Sequence, residues 1–406
     1  MQKSFKINLG FDIILAGATM FLVIFGLIMI TSIGVPKSIA LSAPDVLYPN
    51  CSDTGVDCYL LFKKHTAHLI VGLLAMFFAY KFPLRLLKKF SIVIYGLTFF
   101  TLLAVMFWGQ SYGTIATNWI RIGGMSVQPS EFAKLALIIF LANWLSNKKD
   151  VIQDLQNGFI PFVIITAILT LPVMLQNEFG STLVLALIAG AMFLIGGASK
   201  KHLFFSVLAG LVFMAIIIST VEHVHERFMG FNSINEECQE DYCWQSQQAN
   251  VAIGSGGFWG KGLTQGIQKS YWLPQASDDF IFAASSEELG FIRIIFIVLA
   301  YFIIAIRGFT IANNTDSDFA KYLAIGISIW IVGQAFINIA VNTALMPVTG
   351  VTLPFVSYGG TSLLTSLIGI GILLNISTNN FSYAGSTNRW RNRRTRNPQR
   401  RRYRRY

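Results

Sequence analysis

Charged residues are scarce in this 406-residue chain: Asp, Glu, Lys and Arg make up 13%, while 54% of residues are apolar and the mean hydropathy is +0.57. A soluble protein carries roughly twice that charged fraction. This shortage excludes a soluble two-domain enzyme, a disordered chain and a fibrous repeat. No fixed-period repeat is visible, and the two halves do not match as an inverted-repeat transporter would require. No nucleophile elbow and no dinucleotide fingerprint is present. The run Gly254–Gly262 imitates a phosphate loop, but Ser255 stands where the first Walker glycine belongs and Gly262 where Ser or Thr belongs. Acidic residues are missing altogether from Arg389 to Tyr406, which holds ten arginines. Removing those ten from the 31 basic residues leaves 21 against 20 acids, so the net charge of +11 is a property of the tail.

What is present is length and apolarity. A bilayer core needs about 20 apolar residues per helix. Apolar stretches fall near 11–33, 66–82, 90–108, 131–146, 159–175, 180–198, 203–221, 281–306, 321–345 and 360–377, which predicts an all-α polytopic membrane protein of about ten spans. The Lys and Arg bias of the short loops puts both termini in the cytoplasm: Lys3 and Lys6, Arg85, Lys88 and Lys89, Lys148 and Lys149, Lys200 and Lys201, Arg307 and the tail then lie inside. The longest hydrophilic segment, about 222–280, lies outside between spans seven and eight, and a loop of that length is more than a connector. A membrane domain over 1–380 and a disordered, Arg-rich cytoplasmic tail over 381–406 are expected, the tail lying along anionic inner-leaflet lipid rather than on nucleic acid.

Four cysteines form two close pairs, Cys51 with Cys58 and Cys238 with Cys243, both on outer loops. An oxidising exterior favours two local disulfides. A zinc site built from His223, His225, Cys238 and Cys243 is the rival reading, and it leaves the first pair unexplained.

Ionisable residues at membrane depth are expensive and mark function. Three places carry them. In the first, Ser126 to Lys134, Pro129 suits a first helical turn, Glu131 suits the helix dipole, and Lys134 stands three residues on, on the same face. A local ion pair that seats the helix is the bland alternative to a polar cavity. In the second, Asp278 and Asp279 end the outer loop where a helix begins, and Glu287 and Glu288 follow. Four carboxylates in so short a stretch can hold a divalent cation or place one as a base of raised pKa, or can simply favour a helix start. In the third, Leu353 to Ser362, two glycines and small hydroxyls interrupt an apolar region, so the backbone there must line a cavity or be buried in protein. Gln334, Asn338 and Asn342 recur every fourth residue, a polar stripe that should face the bundle interior.

Taken in order, these places resemble the SEDS family (shape, elongation, division and sporulation), whose best-known members are FtsW and RodA. The resemblance covers nearly the whole chain. It rests on Trp119 through Leu137, on Gln176-Asn177-Glu178-Phe179-Gly180-Ser181, on Gln245, Gln248 and Ala252–Leu263, on Asp279–Ala283 with Glu287–Gly290, on Gln334–Ile339, and on Leu353–Gly360. It departs from the family pattern at Asn118 for Arg, at Asn177-Glu178 for Pro-Asp, at Gln275 for Glu and at Ser277-Asp278 for His-Thr. Thr352–Phe355 and the basic tail are similar to FtsW, whereas Val348-Thr349-Gly350 leans to RodA.

The resemblance implies a peptidoglycan glycosyltransferase of the bacterial cytoplasmic membrane. Such an enzyme polymerises lipid II into glycan strands at the outer face, with a divalent cation (Mg or Mn), beside a class B penicillin-binding protein and other division or elongation proteins. It implies Asp279 as the catalytic residue, Lys134 and Glu131 as its support, and Asp279 with Asp278 as cation ligands. Substrate contacts are expected at Arg121, Gln128, Ser130, Arg227, Gln245, Gln248, Lys261, Asn338, Ser357, Tyr358, Gly359 and Gly360. A lipid II flippase and a non-catalytic division scaffold are the rival functions. A flippase wants charges along a path through the whole bilayer, and a scaffold has little use for the Glu131, Lys134 and Asp279 set.

Overall fold

The structure, a computed structural model, describes residues 11–44, 49–110, 117–122, 125–148, 151–232 and 241–395. Its elements in chain order are helices α1 Ile13–Ile33, α2 Val35–Ser42, α3 Leu60–Lys81, α4 Leu84–Lys89 and α5 Ser91–Trp108; the strands β1 Ile120–Ile122 and β2 Met125–Val127; then α6 Pro129–Asn147, α7 Ile160–Leu175, α8 Phe179–Ile195, α9 Lys200–Thr220, α10 Glu222–Asn232, α11 Asp241–Gly256, α12 Ile281–Leu289, α13 Phe291–Asn313, α14 Asp318–Asn342 and α15 Gly360–Thr395. A π-helical turn, Leu155–Phe159, leads into α7.

Eight of these helices are long and apolar enough to cross a membrane. Helix α8 is apolar but shorter, and α6 carries the Glu131–Lys134 pair. Each of the ten apolar stretches thus coincides with helix. Many large side chains point outward, among them Phe107 at 79% exposure and Phe100 at 67%. Water does not tolerate so continuous an apolar belt on a monomer, and lipid does. The packed centre is α14, whose residues Trp330, Ile331, Ala335 and Leu323 are wholly buried, with α6, α8, α13 and α15 around it.

Two expectations need correction. The eighth stretch is not one span. Gly290, at φ +77°, breaks it into α12 and α13. A Cβ there would lie 2.2 Å from the Gly260 backbone nitrogen, so the break exists because the outer loop packs directly on that backbone. The tail, expected to be disordered from 381, continues α15 as helix through Thr395. A nucleated helix adds residues cheaply, and arginine is a good helix former. Residues 396–406 lie outside the described residues.

Cys51 and Cys58 form a disulfide with Cα atoms 5.7 Å apart. Cys243 is also disulfide-bonded, which removes it as a zinc thiolate, and Cys238 lies outside the described residues. The 222–280 loop is largely ordered, because α10, α11 and a series of tight turns fill it.

Candidate active site

Helix α14 carries the polar stripe, and the stripe faces inward as its spacing requires. Gln334 accepts a hydrogen bond from Lys134 Nζ at 2.9 Å and another from Trp330 Nε1 at 2.9 Å, and donates to the Thr352 carbonyl at 3.0 Å. About one and two turns further on, Asn338 and Asn342 donate to the Asp279 carbonyl at 2.7 and 2.9 Å. Asn342 also accepts from Ala283 N–H at 3.0 Å, which seats the first turn of α12. One helix therefore holds both the buried lysine and the backbone of the loop-end aspartate.

Lys134 and Glu131 form a buried ion pair at 2.7 Å, with side-chain exposures of 0% and 5%. Pro129 occupies the first turn of α6 and Glu131 follows it, as the sequence suggests. Lys134 turns to Glu131 and Gln334 rather than to Asp279. Beside this pair lies a group that sequence reasoning passed over. Glu178 Oε1 accepts from Gln128 Nε2 at 2.8 Å, from Ser130 Oγ at 2.7 Å and from Ser181 Oγ. One carboxylate oxygen of Glu131 and one of Glu178 are buried without a hydrogen bond. Asn177, just before, sits at φ +59°, a conformation closed to the proline of the family pattern and open to asparagine.

Asp278 and Asp279 occupy the mouth. Asp278 pairs with Lys37 of α2, which also donates to Gln275 Oε1 at 3.1 Å. Lys37 lies just past a span in what reads as loop, and only the Gly34-Val35-Pro36 turn hints at its placement. The carboxylate that the family pattern places at 275 is a glutamine here, and one stands at 278 instead. Both side chains meet Lys37. Asp279 is half-buried. Burial, and after it the neighbouring Asp278 charge, push its carboxyl up to about 7, against the opposing pull of Lys37 and Arg227. Tyr358, whose ring lies 5.9 Å from Lys37 Nζ, is pushed up to about 12, mainly by burial.

Several expected roles change. Glu287 and Glu288 are fully buried and fasten the outer loop. Glu287 pairs with Lys261 at 2.7 Å and accepts from the Ile267 and Gln268 amides at 3.0 Å each. Glu288 pairs with Lys269 at 2.6 Å and accepts from Ser32 of α1 at 2.7 Å. Lys261 therefore fastens the loop, with 29% of its side chain exposed. Ser130, Asn338 and Ser357 are buried and donate, respectively, to Glu178, to the Asp279 and Val351 carbonyls, and to the Asp278 carbonyl. Gly360 packs on the His68 ring, where a Cβ would approach to 2.8 Å, whereas a Cβ at Gly359 would meet Ser362 and Thr352 at ordinary contact distances of 3.6 and 3.7 Å. Arg121, on β1, is exposed, while Arg227, Gln245, Gln248, Gln128 and Tyr358 are half-buried.

The four carboxylates do not converge. Among the described residues no group of three or more His, Cys, Asp or Glu side chains could hold a metal ion, and Asp278 is taken by Lys37. The donor set does not fit a protein-held divalent cation.

Fold and site together define a multi-pass helical membrane protein with a half-buried carboxylate and cationic neighbours at one end of its bundle. The chain belongs to the FtsW/RodA/SpoVE family of cell cycle proteins, whose profile matches residues 13–382. It is 35% identical over 389 residues to the probable peptidoglycan glycosyltransferase FtsW of Bacillus subtilis (strain 168), covering 93% of this chain and 91% of that protein. It is 32% identical to the corresponding Geobacter sp. (strain M18) protein, covering 91% and 97%, and 36% identical to stage V sporulation protein E of B. subtilis, covering 79% and 88%. Among solved structures it is similar to a chain from a peptidoglycan synthase complex described for its coordination of polymerization and crosslinking, with a TM-score of 0.72. It is also similar to the Thermus thermophilus rod shape determining protein RodA, at 0.66. Each is 22% identical and covers 92% of this chain and 99% of the other. At that identity the structures speak for the fold alone.

Proposed function

We propose that the chain is a peptidoglycan glycosyltransferase that polymerises lipid II into glycan strands at the outer face of the bacterial cytoplasmic membrane, with Asp279 as general base. The observation that carries this reading is Asp279 itself, a half-buried carboxyl held near pH 7 beside cationic Lys37 and Arg227. A base does best with a pKa close to the working pH. A sugar hydroxyl attacks the anomeric carbon of a second lipid-linked sugar, its proton passes to Asp279, and the bond from that carbon to the diphosphate oxygen breaks. The leaving diphosphate is anionic, and Arg227 with exposed Arg121 supplies fixed positive charge for it. Gln245, Gln248 and Tyr358 remain available to the sugars. A divalent cation, were one carried in with the substrate phosphates, would be held by Asp279 and would add positive charge for the leaving diphosphate.

The flippase reading finds less support. The half-buried pair Arg307–Asp12 lies at the opposite end of the bundle from Asp279, and among the described residues no ion pair joins the two ends. A class B penicillin-binding protein as partner is supported by the peptidoglycan synthase complex among the structural relatives. The Arg-rich tail would add contact with anionic inner-leaflet lipid.

The test is polymerisation of purified lipid II by the purified protein, with and without a class B transpeptidase. Asp279→Asn should lower the rate on the order of 10²–10⁴-fold with undiminished expression and a melting temperature in detergent no lower than the parent's. Polymer yield near that of the parent would refute the assignment, and loss in Asp278→Asn alone would move the role to its neighbour.

A further inference from the structure

At the end of the bundle away from Asp279 a half-open cavity of about 750 Å³ lies between the α3–α4 corner, the start of α14 and the end of the α15 span. The Lys and Arg bias assigns this end to the cytoplasm. Two basic side chains, Lys81 and Arg85, line it, and neither makes an ion pair among the described residues, although Asp316 lines the same cavity. Lys88 stands close by, its ammonium 5.8 Å from the Phe319 ring of α14. The rest of the wall is mixed, with Tyr80, Phe82, Leu84 and Ile376 beside polar groups that are held in place. Asn375 is buried and donates to the Phe82 carbonyl at 2.6 Å, and Ser317 caps α14. Phe82, Leu86 and Phe90 beside it are 40–44% exposed, an apolar shelf at the membrane boundary.

Exposed cations without a carboxylate partner at a half-open cavity, Lys81 resting 4.8 Å over the Tyr80 ring, next to apolar surface at the depth of lipid headgroups, suit one ligand chemistry: an anionic phosphate with acyl chains attached. Basic pockets between membrane helices on the cytoplasmic side bind such headgroups. We propose that this cavity is a binding site for an anionic glycerophospholipid of the inner leaflet, its phosphate between Lys81 and Arg85 and its chains over Phe82 and Leu86. The site is independent of the polymerase reading and separate from any diffuse attraction of the arginine tail.

The experiment uses the full-length protein in detergent, with phosphatidylglycerol, phosphatidylcholine or inorganic phosphate added, and follows retained lipid by native mass spectrometry and the melting temperature. Phosphatidylglycerol should be retained and should raise the melting temperature, and phosphatidylcholine should do neither. Lys81→Gln with Arg85→Gln should weaken binding about 25-fold, at about fivefold for each charge removed. Asp316→Asn should strengthen it, a gain that a folding defect cannot mimic. Lipid II polymerisation should be unchanged in both variants when assayed without phosphatidylglycerol. Equal retention of both lipids, unaltered binding in the double variant, or equal stabilisation by inorganic phosphate at the same concentration would overturn the proposal. So would displacement of the lipid by an acidic peptide at equal concentration, since the cavity would then be a protein-docking site.

Discussion

Lys37→Gln gives the sharpest test of the proposed mechanism, because a purely structural role and an electrostatic one predict different pH behaviour. Lys37 pairs with Asp278 and is one of two cations that hold the Asp279 carboxyl down against burial. Its side chain is 35% exposed, so solvent screens it in part. A unit charge taken at roughly 8 Å in an effective dielectric of about 20 is worth about 2 kcal/mol, and screening leaves about half. That amounts to nearly one pH unit, and the unpaired Asp278 charge acts in the same direction. Asp279 would move from about 7 to about 8. The ionised, active fraction at pH 6.5 then falls from about 0.24 to about 0.03, an eightfold loss, while at pH 9 it falls by only about a tenth. Initial rates of lipid II polymerisation between pH 6 and 9 should show the parent rising with unit slope and levelling near 7, the variant levelling about one unit higher, and Lys37→Arg close to the parent. An equal loss at every pH would mean that Lys37 only fastens the loop. No loss at all would remove it from the site.

Other expectations follow from buried charge and close contact. Lys134→Met should be inactive and should melt well below the parent, because it strands Glu131 as an uncompensated buried charge, at a cost of about 3–5 kcal/mol. Adding Glu131→Gln should restore most of the melting temperature but not polymerisation, and recovery of activity in the double variant would show that the pair merely seats α6. Ionisation of Asp279 costs the folded state, since its raised carboxyl opposes stability as pH climbs from about 4 through about 7. Asp279→Asn should therefore match the parent's melting temperature at pH 4.5 and exceed it at pH 8, and the opposite order would contradict the assigned shift. Gly290→Ala should unfold the outer loop or abolish expression, because φ is +77° and the added carbon meets the backbone of Gly260; protease resistance of the 241–280 region equal to the parent's would refute the close packing.

Much of the fold was legible because hydropathy and span length report directly on lipid. The break at Gly290 was not, since the apolar run passes through it without a change of composition and only the contact with Gly260 requires it. The stripe Gln334–Asn338–Asn342 and the pair Glu131–Lys134 were legible from spacing alone. Glu287 and Glu288 were misjudged because their partners, Lys261 and Lys269, come from the preceding loop, and local sequence shows the carboxylates without the cations that neutralise them. Lys37 and Glu178 were missed for a related reason: apart from Ser181 beside Glu178, their side-chain partners are distant in sequence, and only the tertiary fold brings Asp278 to one and Ser130 to the other.

Helix α14 spaces the two halves of the site like a gauge bar. Gln334 at one end and Asn342 at the other are separated by two turns and a little more, roughly 12 Å of rigid helix. The loops around the site can lengthen, shorten or change composition over evolutionary time while that interval stands. A single residue inserted or deleted between Gln334 and Asn338 would swing Asn338 and Asn342 about 100° away from the Asp279 carbonyl, and no neighbouring side chain could compensate. Length variation among natural relatives should accordingly collect in the loops and be absent from this segment, whatever the relatives' sequence divergence.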